Sequence, residues 1–151
     1  MIPVYETAEG DYLITTDKAK MDIDLIHHYL SEDSYWAQNI SKEIVQRSIQ
    51  HSFCFAILLL NKQVGFARLI TDYATFAYLA DVFILPEHRG KGLSKKLLQF
   101  IHTNPEVQGL RRWLLGTKDA HQLYAKFGWS PITEEQYRRF MQVHVPNVYG
   151  K

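Results

Sequence analysis

The chain has 151 residues, 46% of them hydrophobic and 22% charged, and its 17 Lys and Arg against 16 Asp and Glu leave a formal net charge of +1. That much apolar content excludes a disordered chain, and the single cysteine, Cys54, excludes a disulfide scaffold. The near-neutral balance argues against a protein whose main task is to coat nucleic acid, because such binding is driven by many Lys and Arg contacts to phosphate, while local basic spots stay open.

A domain of about 150 residues buries roughly 70% of the surface its unfolded chain exposes, so a core can hold without metal or disulfide. With no internal repeat, low-complexity tract or long Pro/Gly/Ser linker, residues 1–151 read as one domain. The longest apolar run, Phe53 to Leu60, falls short of the ~18 residues that suggest a membrane span. Met1 to Glu6 lack the basic and apolar segments of an export signal. A cytoplasmic protein with a reduced, buried Cys54 is the expectation.

From Asp22 to His51 apolar residues recur at helical spacing (Ile23, Ile26, Tyr29, Leu30, then Ile40, Ile44, Val45, Ile49), interrupted by Ser31 to Ser34. This predicts two helices joined by a loop, the second capped by Ser41. The runs Phe53 to Leu60 and Val64 to Ile70 flank Asn61-Lys62-Gln63 and predict a hairpin. A third strand is expected over Thr75 to Leu85, ending at Pro86, which cannot donate to a ladder. Leu93, Leu97, Leu98 and Ile101 mark one face of a helix over Leu93 to His102. Arg112 to Thr117 predicts another strand, Asp119 to Phe127 a short helix capped by Asp119 and stopped by Gly128, and Tyr137 to Val145 a last strand. The order α-α-β-β-β-α-β-α-β describes a mixed sheet with helices against it, an α/β or α+β architecture.

The stretch Asp81-Val82-Phe83-Ile84-Leu85-Pro86-Glu87-His88-Arg89-Gly90-Lys91-Gly92-Leu93-Ser94-Lys95-Lys96 carries the chemistry. A strand that runs through a glycine turn into a helix presents free backbone N–H groups at the helix start, and such an array binds phosphate oxygens. Arg89, Lys91, Lys95 and Lys96 would add positive charge there. The turn lacks the four-residue spacing and Gly-Lys-Ser/Thr of a P-loop, and Lys95 stands where a dinucleotide fingerprint needs its third glycine, which disfavours ATP and NAD.

Arg89-Gly90-Lys91-Gly92-Leu93-Ser94 resembles the acetyl-CoA loop of the GNAT superfamily of acyl-CoA-dependent N-acyltransferases, Arg/Gln-x-x-Gly-x-Gly/Ala, at Arg89 and Gly92, with Ser94 at its last position. A second stretch, Ala120 to Trp129, resembles the family's Asn-x-x-Ala-x-x-Leu-Tyr-x-Lys-x-Gly-Phe segment at Ala120, Leu123, Tyr124, Lys126 and Gly128, with Thr117 where the family often has Asn. The resemblance covers about Phe53 to Trp129. It implies a mixed, mostly antiparallel sheet flanked by helices, with acetyl-CoA as co-substrate. The strands ending at Ile84 and near Thr117 would splay, and pantetheine would lie between them against Val82, Phe83 and Ile84. The phosphates would sit on Arg89, Gly90, Lys91, Gly92, Leu93 and Ser94, with Thr117 and Tyr124 near the arm. Tyr124 would be the acid that protonates the leaving thiolate.

Other roles are read from the residues. Asp81 is a carboxylate within an apolar strand, costly to bury unless hydrogen-bonded. It serves either as a base for the incoming ammonium or as the partner of Arg68 on the neighbouring strand, and both readings stand. Some family members carry a glutamate near the position of Tyr78. Tyr35, Trp36, Arg68, Asp72 and Tyr73 are the acceptor-side candidates, aromatic faces for an aliphatic amine and carboxylates to attract it, with core packing as the other reading for Tyr35 or Trp36. His27 and His28 are adjacent on a helix and point apart, so no metal is expected.

The expected activity is direct acetyl transfer to a small-molecule or peptide amine, in a monomer or homodimer without nucleic acid or membrane. The competing readings are a non-catalytic acyl-CoA-binding regulatory module, and a nucleic-acid-binding domain built on Arg89, Lys91, Lys95 and Lys96.

Overall fold

Gly10 and Asp11 turn the chain between two short strands, β1 (Glu6–Glu9) and β2 (Tyr12–Thr15), with Gly10 at φ +63°. The computed structural model, which describes residues 1–150, thus sets a hairpin ahead of the two helices expected to come first. Helix α1 (Ile23–His28) starts at Asp22, whose side chain accepts from the Leu25 N–H, and runs on into a π-helical turn over Tyr29–Asp33. Helix α2 (Lys42–Gln50) begins at Ser41, which accepts from the Ile44 N–H as expected of a cap.

Strands β3 (Phe53–Leu59), β4 (Lys62–Thr71) and β5 (Phe76–Ile84) follow, then α3 (Leu93–His102), β6 (Arg112–Leu115), α4 (His121–Ala125) and α5 (Glu134–Tyr137). The six strands lie in chain order, antiparallel throughout except for β5 and β6. That last pair is parallel because α3 supplies the long crossover a parallel pair requires. The expected mixed, mostly antiparallel sheet flanked by helices is therefore present.

Two elements differ from expectation. No strand forms over Tyr137 to Val145. Thr133 and Gln136 make a reciprocal capping box that starts α5 instead, and residues 138–150 are neither helix nor strand. Asp119 does not cap α4. The Thr117 hydroxyl, which accepts from the Ala120 N–H, closes the turn that leads into it.

Both faces of β3 are buried, which explains its unbroken apolar run. Cys54, Ala56 and Leu58 pack with Phe66 and Phe83 under Ile26, Leu30, Val45 and Ile49 of the N-terminal helical segment. Phe53, Phe55 and Ile57 pack with Ala67, Leu69, Ala77 and Leu79 under Leu97, Leu98 and Ile101 of α3 and Tyr124 of α4.

At Gly65 of β4 an added Cβ would lie 2.9 Å from Ile84 Cδ1, 3.1 Å from Ile57 Cδ1 and 3.3 Å from the Phe83 carbonyl oxygen, so a larger residue there requires both isoleucines and the β5 backbone to give way. Gly65→Ala is expected to cost about 1–3 kcal/mol by overpacking, read as a lower urea midpoint at unchanged slope. An unchanged midpoint would show that the two isoleucines step aside freely.

Candidate active site

The turn after β5 is shaped as a cradle of unpaired backbone N–H groups. Gly90 and Gly92 sit at φ +78° and +77°, a left-handed conformation that glycine adopts without steric cost. No backbone N–H from Gly90 to Lys95 donates to an acceptor among the described residues. These groups face a cleft of about 210 Å³ lined by His88, Gly90, Gly92, Ser94, Lys95 and Leu123, among others. Leu93 instead drops into the core at 4% exposure.

Three of the four basic side chains of the turn are held by neighbouring groups, and Arg89 also lines the cleft. Arg89 folds back, Nε donating to the Ile84 carbonyl at 2.8 Å and an Nη to the Tyr29 hydroxyl at 3.0 Å, and so ties the turn to the end of β5. Lys96 pairs with Glu9 at 2.7 Å, and Lys91 Nζ lies 3.5 Å from the Tyr12 hydroxyl, which also meets His88 Nδ1 at 3.0 Å. The N-terminal hairpin thus holds the turn from outside. Lys95 makes no side-chain hydrogen bond or ion pair among the described residues and lines the cleft.

Next to the cradle the sheet opens. β6 pairs with β5 only from Phe76 to Leu79, opposite Arg112 to Leu115, so Val82, Phe83 and Ile84 have β4 on one side and no strand on the other. The Phe83 ring is stacked on Tyr29 at 3.9 Å between centroids, so its backbone, not its side chain, faces the opening. The Tyr78 hydroxyl lies 3.6 Å from where a Cβ on Gly116 would be, at the point where β6 ends.

Tyr124 is 8% exposed. Its hydroxyl has no hydrogen-bond partner among the described residues, yet it is not sealed from solvent. Burial, and secondarily the nearby Tyr35 phenol, push its pKa up to about 12. The side chain therefore stays protonated at neutral pH and can donate.

On the other side of the opening stands Asp81. Between the pairs Phe66/Phe83 and Arg68/Ala80, β5 carries one residue more than β4, and Asp81 takes up this bulge at φ +56°. One carboxylate oxygen accepts from Arg68 Nε at 2.8 Å and the other from Trp36 Nε1 at 2.9 Å, while Arg68 Nη1 reaches the Ser52 hydroxyl at 3.1 Å. Trp36 meets Tyr35 edge-on at 5.0 Å, and the Tyr35 hydroxyl accepts from the Lys118 N–H just after β6. Tyr35, Trp36, Arg68 and Asp81 are thereby one connected group that bridges the α1–α2 loop, β5 and the β6–α4 loop.

Asp72 and Tyr73 do not join them. They lie in the β4–β5 turn, four and five residues beyond Arg68, roughly 13 Å or more along the strand. Asp72 accepts from the N–H groups of Ala74, Thr75 and Phe76 and from the Thr75 hydroxyl, contacts that hold its carboxyl far below the usual range. Tyr73 packs on Phe53. The sequence reading missed Tyr12, Glu9, Tyr29 and Ser52. Only the first two had a signal, the Gly10-Asp11 turn between short alternating segments. No group of three or more His, Cys, Asp or Glu side chains suited to a metal occurs among the described residues, and no helix there is long and apolar enough to cross a membrane.

Residues 23–129 match the sequence model of the Acetyltransferase (GNAT) family. A Gibberella zeae protein named as a candidate acetyltransferase is 36% identical over 153 residues, 87% of this chain and 83% of that one. The crystal structure of a candidate GNAT-family acetyltransferase from Xanthomonas campestris pv. campestris is 46% identical, with a TM-score of 0.87 over 100% of this chain and 99% of that one. A GNAT-family acetyltransferase from Elizabethkingia anophelis, solved with acetyl-CoA bound, shares the fold at 15% identity, with a TM-score of 0.59 over 83% of this chain and 80% of the other.

Asp81→Asn keeps a side chain that tolerates the left-handed bulge but turns an amide N–H2 toward Arg68 or Trp36. The expected loss is about 1.5–3 kcal/mol, the value of a hydrogen bond to a charged group, measured by urea unfolding. Wild-type stability in that variant would contradict the pairing described above.

Proposed function

Because the chain belongs to the GNAT family of acetyltransferases, we propose that it passes the acetyl group of acetyl-CoA directly to a primary amine within one ternary complex. The observation that carries this reading is the run of unpaired N–H groups from Gly90 to Lys95 that follows the open edge of β5, together with a Tyr124 hydroxyl that has no partner, is not sealed from solvent and lies near the Tyr35 phenol. In this reading the cradle and Lys95 take the pyrophosphate, the backbone of Val82 to Ile84 takes the pantetheine amides as a missing strand would, and the thioester reaches Tyr124.

The amine must arrive uncharged to attack the thioester carbonyl. As the carbon–nitrogen bond forms and the carbon–sulfur bond breaks, Tyr124 gives its proton to the departing thiolate, the nitrogen sheds its extra proton to solvent, and Tyr124 is restored from solvent. Both oxygens of Asp81 already hold a donor, so we assign it to positioning Trp36 and Arg68 beside the acceptor, and the proton of the incoming ammonium goes to water at the open face. Cys54 is buried, and burial pushes its thiol up to about 12, which favours direct transfer over an acyl-cysteine. The exposed faces of Tyr35 and Trp36 suit an aliphatic amine held by its chain as well as by its charge.

Release of free CoA thiol, followed against pooled polyamines, amino acids, aminoglycosides and lysine peptides, tests the reaction. Tyr124→Phe should lower kcat by roughly 10²-fold or more with little change in acetyl-CoA affinity by calorimetry, since the proton is needed only as the thiolate forms. Unchanged turnover would remove Tyr124 from the chemistry, and acetyl-CoA binding without turnover on any amine would favour a non-catalytic acyl-CoA-binding module.

The pH profile gives a second test. Because Tyr124 is raised to about 12, the acid stays in its working, protonated form across the range in which the acceptor loses its proton. With a lysine-like acceptor, kcat/KM should rise to about pH 10 with no descending limb. A descending limb near pH 8 to 9 would mean that another group is the acid.

A further inference from the structure

Helix α4, which carries Tyr124, is too short to hold itself in place. It has five residues, and its N-cap, Ala120, offers no side-chain oxygen to the first N–H groups. Isolated helices of fewer than about 12–15 residues are marginal in water, so the position of this one is decided by what its flanks are tied to. Among the described residues, two hydrogen bonds tie the segment 118–129 to distant parts of the chain. At its start the Lys118 N–H donates to the Tyr35 hydroxyl at 3.0 Å, and at its end the Trp129 indole Nε1–H donates to His102 Nε2 at 2.8 Å.

The second bond fixes the state of its acceptor. An indole N–H only donates, so His102 Nε2 must accept, and the imidazole carries its hydrogen on Nδ1 and no charge. The surroundings suit a neutral ring. Trp113 packs on it at 4.7 Å between centroids, Phe127 stacks at 5.9 Å and Trp129 meets it at 5.7 Å, and burial lowers its pKa. The Trp129 ring in turn meets the Tyr124 ring edge-on at 5.9 Å, and the Trp129 N–H donates to the Tyr124 carbonyl.

His102 is also the last residue of α3, whose first turn follows the glycine cradle. That helix of ten residues, about 15 Å long, therefore has the cradle at one end and the anchor of Trp129 at the other.

We propose that His102 is a positioning residue for the acid: its neutral Nε2 fixes the Trp129 indole, and through that ring sets where the Tyr124 hydroxyl stands at the opening. The proposal rests on the reading of Tyr124 as the acid. His102 itself meets neither acetyl-CoA nor the amine and acts through Trp129.

Two substitutions in the full chain test it. His102→Phe keeps a ring for Trp113 and Phe127 to pack on and removes the acceptor, whereas His102→Gln keeps an amide oxygen that can take the indole N–H. In the ligand-free protein, amides from Tyr124 to Trp129 should exchange about ten-fold faster in His102→Phe, the loss of one hydrogen bond, and near the wild-type rate in His102→Gln, with α3 unchanged in both. With an accepted amine, His102→Phe should lower kcat by about ten-fold at little changed KM for acetyl-CoA, because the bond is used only as the thiolate forms. That loss should vanish in a Tyr124→Phe background, where no acid is left to position. Wild-type exchange in His102→Phe, a kcat loss of the same size with and without the Tyr124 hydroxyl, or no recovery in His102→Gln would each overturn the proposal. Full turnover in Tyr124→Phe alone would overturn the acid reading and the proposal with it, and is told apart from a failed anchor because ligand-free exchange would still quicken in His102→Phe.

Discussion

Beyond Leu79 the backbone of β5 has β4 on one side and no strand on the other, and there Asp81 turns left-handed to set one carboxylate oxygen on Arg68 and the other on Trp36. A bulge at this point increases the local twist and bends the strand. It also brings a charged side chain into a strand whose other residues are apolar or aromatic, and the Arg68 and Trp36 donors offset the cost of that burial. The opening in the sheet, the approach of the α1–α2 loop through Trp36 and the position of the glycine turn at the end of β5 all follow from this stretch.

Two rigid parts of different origin then meet at the opening. The glycine turn is held from inside by Arg89, which binds the Ile84 carbonyl and the Tyr29 hydroxyl, and from outside by Tyr12 and Glu9 of the hairpin. The Glu9–Lys96 pair is partly exposed and contributes little to stability. Its consequence is geometric, because it draws Lys96 away from the cleft and leaves Lys95 beside the free N–H groups. On the acceptor side, Tyr35 ties the helical loop to Lys118 and Trp36 ties it to Asp81, so the walls of the opening are cross-braced. Preorganised donors of this kind need no reordering when an anionic ligand arrives.

Legibility in the sequence followed the range of the interaction. Ser41 capping α2, the core face of α3 and the glycine turn are local, and spacing alone located them. The chemistry of Asp81 could be read only as two alternatives, since its partners Arg68 and Trp36 are 13 and 45 residues away and no pattern encodes which oxygen meets which donor. Arg89 was legible as a positive charge in the turn, but its contacts to the Ile84 carbonyl and to Tyr29, 60 residues earlier, were not, because a guanidinium is a fork for any of several oxygens. The alternation from Tyr137 to Val145 did not become a strand, because a strand needs a neighbour as well as an alternation.

If acetyl-CoA binds as proposed, the free N–H run of the turn and the open edge of β5 form one surface for it. Amide hydrogen exchange of the full chain, with and without saturating acetyl-CoA, tests it most directly. The account predicts new protection concentrated at Gly90 to Lys95 and at Val82 to Ile84. Binding that protects other segments and leaves both of these unchanged would contradict it.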